Sequence, residues 1–249
     1  MEEHKVIAYC PLHYGAEYLS EAIKAVAPVV DRIYIIYTEE PSFGFKSGIK
    51  CPESKELLKK IAYEAEPDKL MFVTVNGINA ENMHRKFVQD NFAGGDVDLI
   101  VAFDADEVWD TEYLRSAIEH AKSLPNKYIQ VSGFINFWRS FNTVCLDHFQ
   151  PVRFVNMRYV DDMNQGVVSG KIYHFSLAQS EEIVRYKWSI HGHLNELRPN
   201  WLEGTYFGWD GVSGDLHPTS IGLWNPAPFD KTTLPELLKQ HKNYNKQVI

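Results

Sequence analysis

The sequence predicts an α/β fold: a Rossmann-like, mainly parallel central sheet flanked by helices, with mixed strands in the C-terminal half. Three observations carry that prediction. In the first half, short apolar runs alternate with segments whose apolar residues recur at helical spacing. Gly, Pro and Ser punctuate the boundaries between them. In the second half, strand-like runs follow one another with few helices between.

The elements follow in order. HKVIAYC (4–10) reads as the first strand; Leu19, Ala22, Ile23 and Val26 then mark a helix that Pro28 closes. RIYIIYT (32–38) is the second strand, followed by a loop rich in Gly, Pro and Ser. Leu57, Leu58, Ile61 and Ala65 mark the second helix, and KLMFVTV (69–75) is the third strand. AENMHRKFVQDNF (80–92) is the third helix, ended by Gly94 and Gly95. DLIVAF (98–103) is the fourth strand, and Leu114, Ala117, Ile118, Ala121 and Leu124 form one face of the next helix. Beyond Asn126, KYIQVSGFINFW, QPVRFVNMRYV and VVSGKIYHFSLA read as strands and SEEIVRYKWSIH as a helix. From Asn195 the chain is rich in Trp, Gly and Pro. With no repeat, linker or low-complexity tract, the expectation is one domain over 1–249, with a nucleotide-type half (1–125) and an acceptor half (126–249).

Composition narrows the function. The chain has 249 residues, 45% hydrophobic and 23% charged, as a globular domain should. No apolar run approaches the roughly 20 residues of a membrane span. The acidic start, MEEHKVIAYCP, has no secretory character, and Cys10, Cys51 and Cys145 are too scattered for a disulfide framework or zinc ribbon. The expected location is therefore cytoplasmic. A net charge of −8 argues against a broadly basic nucleic-acid binder.

The chemistry gathers in LIVAFDADEVWD (99–110), where an apolar strand delivers Asp104, Asp106, Glu107 and Asp110 to its carboxyl end. In sheets of this type ligands sit beyond those ends. Asp110 directly precedes a helix and reads as its N-cap; Glu107 reads either as a support to the site or as a surface residue. Asp104 and Asp106, two apart in extended chain, point to one side. Two such charges about 4 Å apart repel by roughly 4 kcal/mol at an effective dielectric near 20. A divalent cation would relieve that repulsion, and oxygen ligands favour Mg²⁺ or Mn²⁺.

DADE after the fourth strand resembles the DxD motif of GT-A fold glycosyltransferases. The resemblance implies a metal-dependent transfer of sugar from a nucleotide-diphosphate donor, a UDP-sugar above all, to an acceptor hydroxyl. Carried over, Asp104 approaches the nucleotide ribose or the metal and Asp106 ligates the metal. MHRKFVQDNFAGGDVDLIVAFDADE is similar to the family's stretch in which an Arg precedes the motif, which places Arg85 near the diphosphate. YCPLHYGAEYLSEAIKAVAPVVDRIYIIY looks like the family's opening strand, loop, helix and second strand. Tyr9, Pro11 and His13 would then line the nucleoside site, with Glu39, Glu40 or Ser42 beside the base. There YTEEPSFG replaces the Asp-rich signature of many members.

The family often adds a downstream His to the metal, and both His174 and His217 are candidates. His191 and His193 read as structural or acceptor-side, because no fuller zinc ligand set surrounds them. Inverting transfer needs a carboxylate base. Asp210, in a glycine-rich loop, is preferred over Glu196, Glu203 and Asp215. Most of the tryptophans should fill a core; Trp201 and Trp209 are the candidates for a substrate contact. The acceptor is a glycan or small molecule, or alternatively a hydroxymethylated pyrimidine in phage DNA. Arg139, Arg153, Arg158 and the C-terminal lysines Lys231, Lys239, Lys242 and Lys246 could contact DNA phosphates. A nucleotidyltransferase and a non-catalytic nucleotide or sugar binder are the competing readings. A haloacid-dehalogenase phosphatase is excluded because no nucleophilic Asp follows strand one, and a P-loop enzyme because GxxxxGK[ST] is absent.

Overall fold

The computed structural model describes residues 5–41, 47–78, 80–146, 148–159, 165–190, 194–211, 214–219 and 223–246. Its front half alternates β1 (Lys5–Leu12), α1 (Leu19–Val26), β2 (Arg32–Tyr37), α2 (Lys55–Ala65), β3 (Leu70–Thr74), α3 (Glu81–Phe92) and β4 (Val97–Ala102). A short β5 (Glu107–Trp109) and α4 (Thr111–Ser123) follow, then β6 (Tyr128–Trp138), β7 (Thr143–Leu146), β8 (Val152–Asn156) and β9 (Gly166–Leu177). The chain continues through α5 (Glu181–Ser189), a π-helical segment (Trp201–Phe207), β10 (Pro226–Pro228) and α6 (Glu236–Lys239).

The ten strands among the described residues join one sheet, with the path β10-β7-β6-β8-β4-β1-β2-β3 and β9 bridging β5 and β6. β1 pairs in parallel with both β2 and β4, whereas β8 adds antiparallel to β4. The chain thus runs outward from β1 to β2 and β3, then returns to β1's other side as β4. That reversal is a topological switch point, where α/β sheets open a crevice at their carboxyl ends.

Side-chain alternation decides what the front sheet buries. Val6, Ala8, Cys10 and Leu12 of β1 pack with Leu19, Ala22 and Ile23 of α1 on one face. Ile7 and Tyr9 pack on the other with Val88 of α3 and Ile100 of β4. Asp110 caps α4 as predicted, its carboxylate accepting from the Tyr113 amide at 3.4 Å.

The back half corrects part of the sequence reading. Trp201 is not a substrate platform: it is 1% exposed, stacked on Trp188 at 4.5 Å, and donates its indole N–H to the Leu216 carbonyl. Trp188, Trp209 and Trp224 pack against the same cluster. The three arginines do not make a basic face. Arg139 is buried and donates to the Tyr206 and Trp209 carbonyls, Arg153 is buried in an ion cluster, and Arg158 donates to the Lys122 carbonyl. Among the C-terminal lysines, Lys231 is tied to the Tyr244 carbonyl and Lys239 to Glu236. Among the described residues no helix is long and apolar enough to cross a membrane.

Candidate active site

A cleft of about 240 Å³ opens at the switch point. Pro11, Leu12, His13, Tyr14 and Gly15 from the end of β1, Thr38 from the end of β2, and Asp104, Ala105 and Asp106 after β4 line it. His84 of α3, His174 of β9 and Lys187 of α5 complete its walls.

The loop after β1 is held from below and from the side. Glu53 accepts from the Gly15 and Ala16 amides at 2.6 and 2.9 Å. Gly15 has φ +133°, and a Cβ there would lie 2.5 Å from Ala105 Cβ, so glycine is what lets the two loops meet. Both His13 ring nitrogens are engaged, Nδ1 with the Thr38 carbonyl at 2.8 Å and Nε2 with the Tyr186 hydroxyl at 2.7 Å.

The acidic motif folds as strand end, turn and short strand. Antiparallel pairing of β5 with β9 sets Glu107 opposite His174, and parallel pairing of β6 with β9 sets Asn136 beside the same histidine. These registers bring a residue from position 174 onto the motif. Asn136 Oδ1 lies 2.6 Å from His174 Nδ1; with the amide in this orientation the imidazole proton sits on Nδ1 and the lone pair on Nε2. His174 Nε2 faces Asp106 Oδ1 at 3.7 Å. Burial lowers the imidazole pKa to about 4, the Asp106 charge opposing that shift.

The two aspartates are not left to repel one another. Arg153, on β8, donates to Asp104 Oδ2 at 2.8 Å and to the carboxylate of Glu107, which is 1% exposed. Lys187 Nζ lies 3.1 Å from Asp106 Oδ2, and Gln179 Nε2 donates to the same oxygen at 3.1 Å. Burial works against ionising Asp106, but Lys187 and His174 outweigh it and hold its pKa below the usual carboxylate range. The protein's own cations therefore offset the repulsion that the sequence argument assigned to a metal.

Among the described residues no three His, Cys, Asp or Glu side chains converge into a preformed metal cage. Asp106 Oδ1 and His174 Nε2 are nevertheless two acceptors facing each other, and the donor set fits a divalent cation. Such cations commonly take one or two carboxylates and fill the rest of their shell with phosphate oxygens and water. Asp104 is committed to Arg153 through Oδ2 but remains 40% exposed toward solvent.

Other predicted residues lie elsewhere. His217 does not line the cleft; its Nδ1 is tied to Thr219 and its ring packs edge-on against Trp224. Arg85 pairs with Glu81 at 2.6 Å, packs over Tyr128 and is not a cleft residue. Arg85 lies on the buried side of α3, three residues before Val88 and only 16% exposed, but its guanidinium is spent on Glu81 and the Tyr128 ring. Tyr9 points to the α3 face of the sheet, where burial pushes its hydroxyl up to about 12. Glu39 is exposed and does not line the cleft. The proposed bases fall outside as well. Glu203 is exposed and paired with Arg185, and Glu196 and Asp210 are exposed on the late loops. Asp215 is tied to Arg198. Ser42, His191 and His193 lie outside the described residues.

Sequence reasoning missed His84, Asn136, Gln179 and Lys187 as site residues. The i, i+4 placement of His84 and Val88 within a helix that must bury one stripe was the available signal for the first.

A pH effect follows from His174. In the unfolded chain it titrates near its ordinary 6.5, but in the fold only near 4. Between those values the unfolded state binds the proton and the folded state does not, so stability falls as pH drops from 6.5 toward 4. The loss is on the order of 3 kcal/mol at most. Urea unfolding across that range should show a shallower acid limb for His174→Gln than for the parent chain.

No protein-family model matches the chain, and no curated protein matches it. Solved structures show a distant likeness to parts of the chain. A mycobacterial protein is 10% identical over 53% of this chain and 41% of its own, with a TM-score of 0.38. 4-Diphosphocytidyl-2C-methyl-D-erythritol synthase is 15% identical over 68% of this chain and 90% of its own, with a TM-score of 0.41. An active-site mutant of LgtC is 14% identical over 52% of this chain and 46% of its own, with a TM-score of 0.31. The match thus spans less than half the length of the mycobacterial protein and of LgtC.

Proposed function

We propose that the cleft binds a nucleotide-diphosphate sugar and transfers the sugar to an acceptor hydroxyl, in the manner of a GT-A fold glycosyltransferase. One observation carries the reading. At the switch point of a parallel sheet, the Asp106 carboxylate and the neutral His174 imidazole face each other at 3.7 Å, with the Lys187 ammonium 3.1 Å from the same carboxylate. Carboxylate, imidazole lone pair and ammonium together suit a cation-bound diphosphate.

Asp106 and His174 would hold Mn²⁺ or Mg²⁺, whose chemistry is to neutralise charge on the leaving diphosphate. Asn136 fixes the His174 tautomer, and Gln179 fixes the Asp106 rotamer. Arg153 and Glu107 hold Asp104 at the mouth. His13, Tyr14 and Thr38, from the loops after β1 and β2, form the wall available to the nucleoside. A glycan or small molecule is the favoured acceptor, because Arg139 and Arg153, two of the arginines that could have served DNA, are buried and engaged inside the protein.

The test is product analysis with UDP-sugars and then GDP-sugars in the presence of Mn²⁺. Release of a nucleoside diphosphate with sugar transferred or hydrolysed supports the reading. Pyrophosphate formed from a sugar phosphate and a nucleoside triphosphate would replace it with nucleotidyl transfer.

A further inference from the structure

Lys187 lines the cleft although nothing in the spacing of the chain pointed to it, and its position is unusual for a surface-helix lysine. α5 begins after Gln179 and carries Lys187 near its last turn, so that a chain segment 81 residues beyond the motif returns to it. Nζ donates to Asp106 Oδ2 and to the Ser176 hydroxyl, and the side chain is only 21% exposed while still lining the cleft. Asp106 therefore has two differently occupied oxygens. Oδ2 carries the ammonium and Gln179, and Oδ1 faces the His174 lone pair.

Two cations cannot share one carboxylate cheaply, because like charges a few ångströms apart repel strongly in a partly buried site. A divalent ion reaching Asp106 Oδ1 and His174 Nε2 alone meets the Lys187 ammonium across the same carboxylate. A diphosphate entering alone meets the Asp106 charge. When both enter, the ammonium has a new partner within reach of its flexible four-carbon stem, a phosphate oxygen, and Asp106 is left to the metal. The Ser176 hydroxyl gives Nζ a second hydrogen-bond partner besides Asp106.

We infer that Lys187 is an exchangeable internal counter-ion that makes cation and diphosphate binding mutually dependent, so that neither is held well without the other. This rests on the reading of the cleft as a diphosphate-donor site. By linkage, each ligand raises the affinity for the other by the same factor.

The test measures Mn²⁺ binding, with no turnover. The signal of free Mn²⁺ in electron paramagnetic resonance is titrated against the protein, with and without UDP, and with protein-free UDP as the control for chelation. The parent chain should bind Mn²⁺ weakly alone and more tightly with UDP. Lys187→Met should bind Mn²⁺ alone more tightly than the parent by on the order of tenfold, an ordinary size for such coupling. UDP should then enhance binding by a smaller factor than in the parent. Lys187→Gln, which retains a hydrogen-bond donor while losing the charge, should shift the same way and covers the case in which the Met variant folds poorly. If the parent binds Mn²⁺ with UDP but both variants leave the affinity for Mn²⁺ alone unchanged, the counter-ion role is wrong and the site reading stands. If the parent fails to bind Mn²⁺ even with UDP, the donor-site reading falls and takes this inference with it.

Discussion

Asp106→Asn should abolish sugar transfer, by at least about 10²- to 10³-fold, the loss seen when a group stabilising transition-state charge is removed. The replacement keeps the volume of the side chain. Its carbonyl oxygen still accepts from Lys187 and Gln179, the partners that Asp106 has in the fold. What disappears is the negative charge that faces His174. Urea unfolding and near-ultraviolet circular dichroism should therefore change little while release of nucleoside diphosphate stops. A variant that transfers sugar at the parent rate would remove Asp106 from the mechanism. One that unfolds would show Asp106 to be a structural partner of Lys187 first.

Arg153→Met should be the most damaging substitution for stability, costing about 3–5 kcal/mol. The guanidinium is 7% exposed and serves both the Glu107 carboxylate, itself 1% exposed, and Asp104 Oδ2. Removing it leaves a buried carboxyl with no cation, and burial already pushes the Glu107 pKa upward despite Arg153. Arg153→Lys should rescue little, because a single ammonium does not reproduce a planar fork that reaches two carboxylates. Removing both members, with Arg153→Met and Glu107→Leu together, should recover much of the loss, since a buried ion pair exchanged for apolar side chains of similar volume is often neutral. Chemical denaturation of the four proteins measures this directly. Equal stability of Arg153→Met and the parent would show the cluster to be solvated.

The front half was legible in the sequence because its instructions are local. The helical spacing of Leu19, Ala22, Ile23 and Val26, and the apolar runs of β1, β2 and β4, each specify an element without reference to distant residues. Asp110 as an N-cap is local in the same sense. The acidic motif was legible by its place after the fourth strand. What surrounds it was not, because pairing register does not show in composition or spacing. His174 and His217 are equally plausible along the chain, and only the β5–β9 register puts the first of them opposite Glu107. Arg153 lies in a strand, VRFVN, that buries both faces, so an alternation argument reads it as outward-facing when it is buried beneath the motif. Lys187 reaches Asp106 only because α5 folds back after β9. The tryptophans illustrate the opposite error: an irregular, glycine-containing segment suggested an open platform at Trp201, and aromatic packing closed it.

The central claim is that the carboxylates after β4 serve a cation-bound diphosphate. Its most direct test is calorimetric titration of UDP into the protein with Mn²⁺ and with chelator, repeated with GDP. One nucleoside diphosphate should bind tightly with the metal and at least about tenfold more weakly without it. No metal-dependent binding to either nucleotide would contradict it, and would leave Asp104, Asp106 and Glu107 as a buried ion cluster that Arg153 and Lys187 neutralise for the sake of the fold.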